Sequence, residues 1–272
     1  MRTRSRLFLL SMLVPACFAV GAQAQVPGAS AVASGLWSDS STWSGGAVPS
    51  AGDIVTIGAG LEVVLDVSPP GLNGINLDGT LSFSDQADVE LTTEWIFVRG
   101  ELMAGSQNDP HTRNATITLT NRIPDENING MGDRGILLVG GTLNLHGDRD
   151  NAWTKLAETA EAGSTEIEVL DASEWRVGDE IVLASTDFDP RQAETRRITR
   201  VRGNTITLDQ PLDYMHFGEI TYGVDQRGEV GLLTRNIKVQ ASADAEESFL
   251  GGHIMAMASS SMYVDGVELT RM

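Results

Sequence analysis

The chain has 272 residues, a net charge of −18 and a single cysteine, Cys17. That charge argues against nucleic acid and anionic lipid as partners, and one cysteine excludes both a disulfide framework and a thiolate metal site. Stability must come from buried apolar surface, which a chain of this length can supply.

Arg2, Arg4 and Arg6 precede a largely apolar run from Leu7 to Val20, and Ala22-Gln23-Ala24 offers a small-x-small cleavage site. The run is too short to span a bilayer, and no later segment approaches the required length. The expectation is therefore a signal peptide over residues 1–24, no stable membrane insertion, and a secreted, periplasmic or cell-surface location. Val14-Pro15-Ala16-Cys17 gives a rival lipoprotein reading, for which Pro15 is awkward. Residues 25–34, rich in small side chains, read as a mobile linker.

Beyond the linker, apolar residues alternate with period 2, which is strand chemistry. Val55-x-Ile57, Ile75-x-Leu77, Ile96-x-Val98, Ile117-x-Leu119 and Leu137-x-Val139 lead to pivots at Ala59, Gly79, Gly100, Asn121 and Gly141, a step of 20 or 21 residues. One strand pattern per fixed step predicts an all-β solenoid, a parallel β-helix whose coils turn at the pivots. An antiparallel sandwich is the alternative, set aside because the glycine recurs in register. From Trp153 the rhythm changes. Segments around Trp175–Leu183 and Ile198–Leu208, with turns at Gly178-Asp179 and Gly203-Asn204, predict a small antiparallel β insertion over 153–222. Ile237-x-Val239 and Met262-x-Val264-x-Gly266 resume the rungs over 223–272, and a last rung with no capping element suggests a truncated solenoid.

Trp43, Pro49-x-x-Gly52-Asp53-x-Val55-x-Ile57, Val63-x-Leu65-Asp66 and Leu143-x-Leu145-His146-Gly147 carry a resemblance to the eight-glycine (G8) domain. That domain occurs in the cell-migration-inducing and transmembrane hyaluronidases and in fibrocystin-like proteins. Ser185-Thr186-Asp187-Phe188-Asp189, Asp225-x-Arg227-x-Glu229-Val230-Gly231-Leu232-Leu233-x-Arg235-Asn236-Ile237 and Gly251-Gly252-His253-x-Met255 extend it, so it covers roughly residues 40–272. The domain itself is placed at 35–152. The resemblance implies a right-handed β-helix and, in the hyaluronidase branch, hydrolysis of a uronate-containing glycan with calcium as cofactor.

Candidate site residues come from polar clusters that strand packing leaves unexplained. Asp187 and Asp189, two apart, would share a strand face, with Glu194 and Gln192 joining them after Pro190; such carboxylates suit calcium or acid/base work on a glycosidic bond. Asp225, Arg227 and Glu229 also alternate, and Arg227 or Arg235 would hold a sugar carboxylate bidentately. His253, after Gly251-Gly252, is the preferred titrating group, while His216, near Tyr214 and Phe217, suits stacking on a sugar. Arg196, Arg200 and Arg202 would share one face as a basic patch. The bets are Asp187, Asp189, Asp225 and His253 for catalysis, and Arg227, Arg235, His216, Arg196 and Arg200 for substrate. The metal ligands are left open. The five tryptophans are read mainly as core or cap fillers. The leading expectation is a polysaccharide-binding or polysaccharide-degrading protein; the rivals are a non-catalytic adhesion scaffold and a polysaccharide lyase.

Overall fold

The computed structural model describes residues 28–149 and 151–272, so the expected signal peptide and Cys17 lie outside the described residues. The protein is all-β, and most of its sheets are parallel. One sheet stacks Gly28–Ser30, Ile54–Ile57, Gly74–Leu77, Trp95–Val98, Gly135–Leu138 and His253–Ala256. A second stacks Gly35–Leu36, Glu62–Leu65, Thr80–Phe83, Glu101–Ala104, Thr142–His146 and Ser261–Asp265. The third holds Val89–Thr93, Ala115–Leu119, Ile237–Ala241 and Val267–Thr270. The chain visits the sheets in turn, and each strand after a sheet's first pairs with the strand of the previous visit.

Registration of apolar residues explains why these strands stack. Val55, Ile75, Ile96, Ile136 and Ile254 are Cα partners in one column, and Ile57, Leu77, Val98 and Leu138 form the next. Val63, Leu81, Leu102, Leu143 and Met262 do the same in the second sheet. The inward side chains merge into one core that includes Trp37 and Trp43, whose rings meet edge-on at 4.8 Å. The recurring glycines serve close approach: at neither Gly79 nor Gly100 is φ positive, and a Cβ on Gly100 would run into the carbonyl oxygen of Gly79.

Three expectations need correction. Residues 28–30 of the expected mobile linker are the first strand of the first sheet, paired with Ile54–Thr56, because Ala29 is an apolar residue with a core to enter. Ile117 and Leu119 belong to the third sheet, so Asn121 is not a pivot in line with Gly100 and Gly141. The inward residues of the next strand are Ile136 and Leu138, one position off the expected phase. Leu137 instead packs outward against Trp95 and Phe97, and a strand buried on both faces carries no alternation to read.

Between His146 and Ile237 the chain builds a six-stranded antiparallel sheet in the order Trp153–Lys155, Glu229–Leu232, Glu180–Leu183, Glu194–Arg202, Thr205–Leu208, Glu166–Glu168. It has its own core of Leu156, Trp175, Ile181, Leu183, Ile198, Ile206 and Val230, among others. Gly178 (φ 96°) and Gly203 (φ 59°) sit at the two expected turns. The sheet extends past the expected limit of 222: Glu229–Leu232 pairs with both Trp153–Lys155 and Glu180–Leu183, because Val230 and Leu232 complete this core rather than a parallel rung.

Candidate functional site

Strand alternation turns Leu156, Ile181, Leu183, Val230 and Leu232 into the antiparallel core and Trp153, Lys155, Val182, Glu229 and Gly231 to its outer face. Trp153 stands opposite Gly231, which in turn stands opposite Val182. Because Gly231 offers no side chain, a trough opens between its neighbours. The resulting groove, about 460 Å³, is lined by Trp153, Val182, Ala184, Asp187, Phe188 and Glu229 with adjoining residues. Trp153 is 56% exposed and Phe188 fully so, whereas Trp37, Trp43, Trp95 and Trp175 are buried. An exposed tryptophan and phenylalanine beside carboxylates form a surface with apolar faces and polar acceptors.

The far wall is a loop tied to itself. Ser185 Oγ donates to the carbonyl of Asp189 (2.8 Å), and Asp189 caps the short 3₁₀ turn Pro190–Gln192 by accepting from Arg191 N–H (3.0 Å). The Arg191 guanidinium closes on the same carboxylate at 2.9 Å, and its hydrogen bonds hold Asp189 below the usual carboxylate range. Asp187 lines the groove and accepts from the Phe188 N–H at 2.6 Å. Asp187 and Asp189 therefore do not share a strand face as expected; Pro190 ends any extended run, and the pair forms a turn. Glu194 does not join them.

One strand position from the groove, Lys155 pairs across from Glu229 and reaches Asp225 at 3.0 Å. Arg227 grips Asp225 through two hydrogen bonds of 2.9 and 3.0 Å. Those bonds, Arg227 first and then Lys155, hold the Asp225 carboxyl far below its usual range. An acid catalyst needs the opposite shift, so Asp225 has no proton to give. Arg227 is committed to Asp225 rather than open to a sugar carboxylate.

The remaining expected residues lie elsewhere. His216 is 1% exposed, with Nε2 at 2.8 Å from Glu194 Oε1 and Nδ1 at 2.9 Å from the Ala184 carbonyl oxygen. It cannot stack on a sugar, because the chain from Tyr214 to Phe217 turns this ring inward. Arg196, little exposed, also bonds Glu194, and donates to the carbonyl oxygen of Pro211. A bulge between Ile198 and Arg200 shifts the register, so Arg196 shares the face of Ile198 while Arg200 lies on the other; the expected single basic face is divided. His253 sits in the parallel body, its Nε2 3.2 Å from the Met131 carbonyl oxygen and its ring against Gly135, with no partner in common with the groove. Arg235 is partly buried in a separate cleft.

Among the described residues no group of three or more His, Cys, Asp or Glu side chains is placed to hold a metal ion. Of the carboxylates expected for calcium, Asp189 is closed by Arg191 and Glu194 by Arg196 and His216, which leaves Asp187 alone at the groove. Sequence reasoning missed Trp153, Lys155 and Phe188 as site residues. A signal for Trp153 was available: it shares strand parity with Lys155, which cannot point into an apolar core.

These features define an all-β protein of mostly parallel sheets bearing an antiparallel sheet with an open aromatic groove. Residues 42–157 match the G8 domain, and the chain belongs to the G8 domain family. It is similar to fibrocystin-L of Mus musculus, 35% identical over 223 residues, covering 78% of this chain and 5% of that protein. A G8 domain-containing protein of Dictyostelium discoideum is 31% identical over 252 residues, covering 87% of this chain and 22% of that one. The chain thus spans a small part of these relatives. The tailspike Gp54 of Acinetobacter baumannii bacteriophage AP22, solved with a capsular saccharide, aligns with a TM-score of 0.25 and 12% identity, over 68% of this chain and 23% of that one. An overlap that loose defines neither fold nor ligand. No helix among the described residues is long and apolar enough to cross a membrane.

Proposed function

We propose that this chain is an exported glycan-binding module in which the three parallel sheets coil as a right-handed β-helix and the antiparallel sheet presents the binding groove. The carrying observation is the exposed Trp153 opposite Gly231, with Phe188 on the far wall and Asp187 and Glu229 as polar groups between them. Aromatic faces pack on the apolar face of a sugar ring, and acceptors beside them fix its hydroxyls. Calorimetric titration with oligosaccharides tests this reading. Trp153→Ala should weaken binding about tenfold or more with the fold intact, because the ring is largely exposed. Unchanged binding in Trp153→Ala would put the glycan outside this groove, and no binding by wild type would leave the chain a structural scaffold.

A second reading is hyaluronidase-like hydrolysis, favoured by one observation. Asp187 and Glu229 line the same groove, and neither is held in an ion pair among the described residues. Two carboxyl groups flanking the bond are the working parts of most glycoside hydrolases. Incubation with hyaluronan and other uronate polymers, with and without calcium, should then release reducing ends, and Asp187→Asn or Glu229→Gln should abolish the release. A product absorbing in the ultraviolet would mark a lyase instead, and no depolymerisation would leave binding alone.

A further inference from the structure

The outer face that carries the aromatic groove continues into a second cleft of about 460 Å³, lined by Glu180, Arg197, Leu233, Arg235, Lys238 and Glu268 among others. Val182 and Gly231 are cross-strand partners in the groove. One step of two residues along each strand leads to Glu180 and Leu233 in the cleft, where Leu233 N–H donates to the Glu180 carbonyl at 2.8 Å. A two-residue step keeps the same face and advances about 7 Å. The second wall comes from the third parallel sheet, through Lys238 and Glu268. The cleft therefore lies where the antiparallel sheet meets the parallel body.

One cation in its lining has no ion-pair partner among the described residues. Arg197 pairs with Glu180 at 3.3 Å, and Lys238 pairs with Glu268 at 3.0 Å. Arg235 is left over: it donates to the carbonyl oxygen of Thr234 at 2.9 Å and makes no ion pair among the described residues. Asp179, Asp265 and Glu268 act on it only at a distance, while burial, and then Arg149 alongside, pulls the guanidinium below its ordinary range. Arg149 is already paired with Asp148 at 2.5 Å. A partly buried guanidinium whose fork has one backbone partner, in a chain of net charge −18, is an unused anion receptor.

We propose that this cleft is an oxyanion subsite in which Arg235 receives a carboxylate or sulfate carried by an acidic glycan, while an uncharged part of the same glycan lies on Trp153 in the adjoining groove. The subsite rests on the glycan-binding reading for its ligand, but its anion chemistry is testable alone. Direct N–H donation from a partly desolvated guanidinium carries the recognition, and salt screens the chain's distant negative surface.

The test is calorimetric titration of the protein with uronate-bearing, sulfated and neutral oligosaccharides of equal length. Wild type should bind one acidic series about tenfold tighter than the neutral one. Arg235→Gln should abolish that preference without changing neutral binding, Arg235→Lys should retain part of it, and Trp153→Ala should weaken every series. The acidic series that loses more in Arg235→Gln identifies the group received. No acidic preference in wild type, or a full preference in Arg235→Gln, overturns the subsite and leaves the Trp153 groove standing. If no oligosaccharide binds, the glycan reading fails and inorganic sulfate decides the subsite. A rise in Tm with sulfate over chloride at equal ionic strength that is lost in Arg235→Gln supports it, and an equal rise in both proteins overturns it.

Discussion

The parallel body and the antiparallel sheet each bury one glutamate, and the two are treated in opposite ways. Glu94, in the body, is 1% exposed and accepts only backbone N–H groups, from Arg122 at 2.9 Å and Ile123 at 3.1 Å. Burial dominates and, with Glu126 adding to it, raises its carboxyl above the ordinary value of 4.5. Glu194, in the antiparallel sheet, is 6% exposed, and burial pushes it up as well. There the N–H groups of Asp213 and Tyr214, together with His216 and Arg196, outweigh burial and lower it. The body is held by apolar registration and tolerates a poorly compensated carboxylate. The antiparallel sheet, with a smaller core, depends on a charged centre that ties the Asp213–His216 segment to the strand Glu194–Arg202.

The same substitution should therefore act with opposite sign in the two regions. Glu194→Gln removes the charge that Arg196, His216 and two backbone N–H groups share, leaves the little-exposed Arg196 with only the exposed Asp213 carboxylate at 3.1 Å, and should cost about 3–5 kcal/mol at pH 7. Because the folded value of Glu194 lies below 4.5, its contribution is full above that pH and is lost as pH falls through the depressed value. Urea unfolding of wild type and variant should then converge in acid. A variant as stable as wild type at pH 7 would show that the ionic centre does not hold this sheet.

Separate cores make a second contrast. Leu102→Ala in the body and Ile181→Ala in the antiparallel sheet should each cost about 2–5 kcal/mol. Hydrogen exchange should show each loss confined largely to its own core. Equal loss of protection everywhere would mean that the two cores unfold as one.

The glycines of the two regions differ in kind. Gly100→Ala drives a methyl group into the carbonyl oxygens of Gly79 and Asp78 and should cost about 1–3 kcal/mol or more. Gly203→Asn, at φ 59° with open space around it, should cost under about 1 kcal/mol, since asparagine visits the left-handed region. Thermal unfolding of the two variants separates close approach from turn geometry.

The sequence made the body largely legible. Ile75, Ile96, Leu81 and Leu102 occupy their columns because a half-buried strand writes its inward face as period 2. The phase failed at Leu137, where the strand is covered on both sides and every position is apolar. The site was less legible, since it depends on long-range closure. Asp187 does reach the groove, and the Asp225–Arg227 pair, two residues apart, is a local feature; what no local pattern tells is that Lys155, 70 residues away, joins it while Arg235 has no carboxylate partner among the described residues. His216 shows the same limit: its aromatic neighbours suggested a sugar platform, whereas its partner, Glu194, lies 22 residues away in sequence.

The smallest effect is the most diagnostic. Glutamine in place of Glu94 keeps an oxygen for the Arg122 and Ile123 N–H groups but removes a charge that burial penalises. With a folded value above 4.5, the carboxylate of Glu94 costs stability in full only above that raised value, and nothing in acid, where both folded and unfolded chains are protonated. Glu94→Gln should therefore be stabilising at pH 7 by up to about 1 kcal/mol, with the gain fading as pH falls toward 4.5. Urea midpoints at neutral and acidic pH measure this directly. A loss of about 2 kcal/mol or more at pH 7 would mean that the two backbone hydrogen bonds require the charge, and the contrast with Glu194 would collapse.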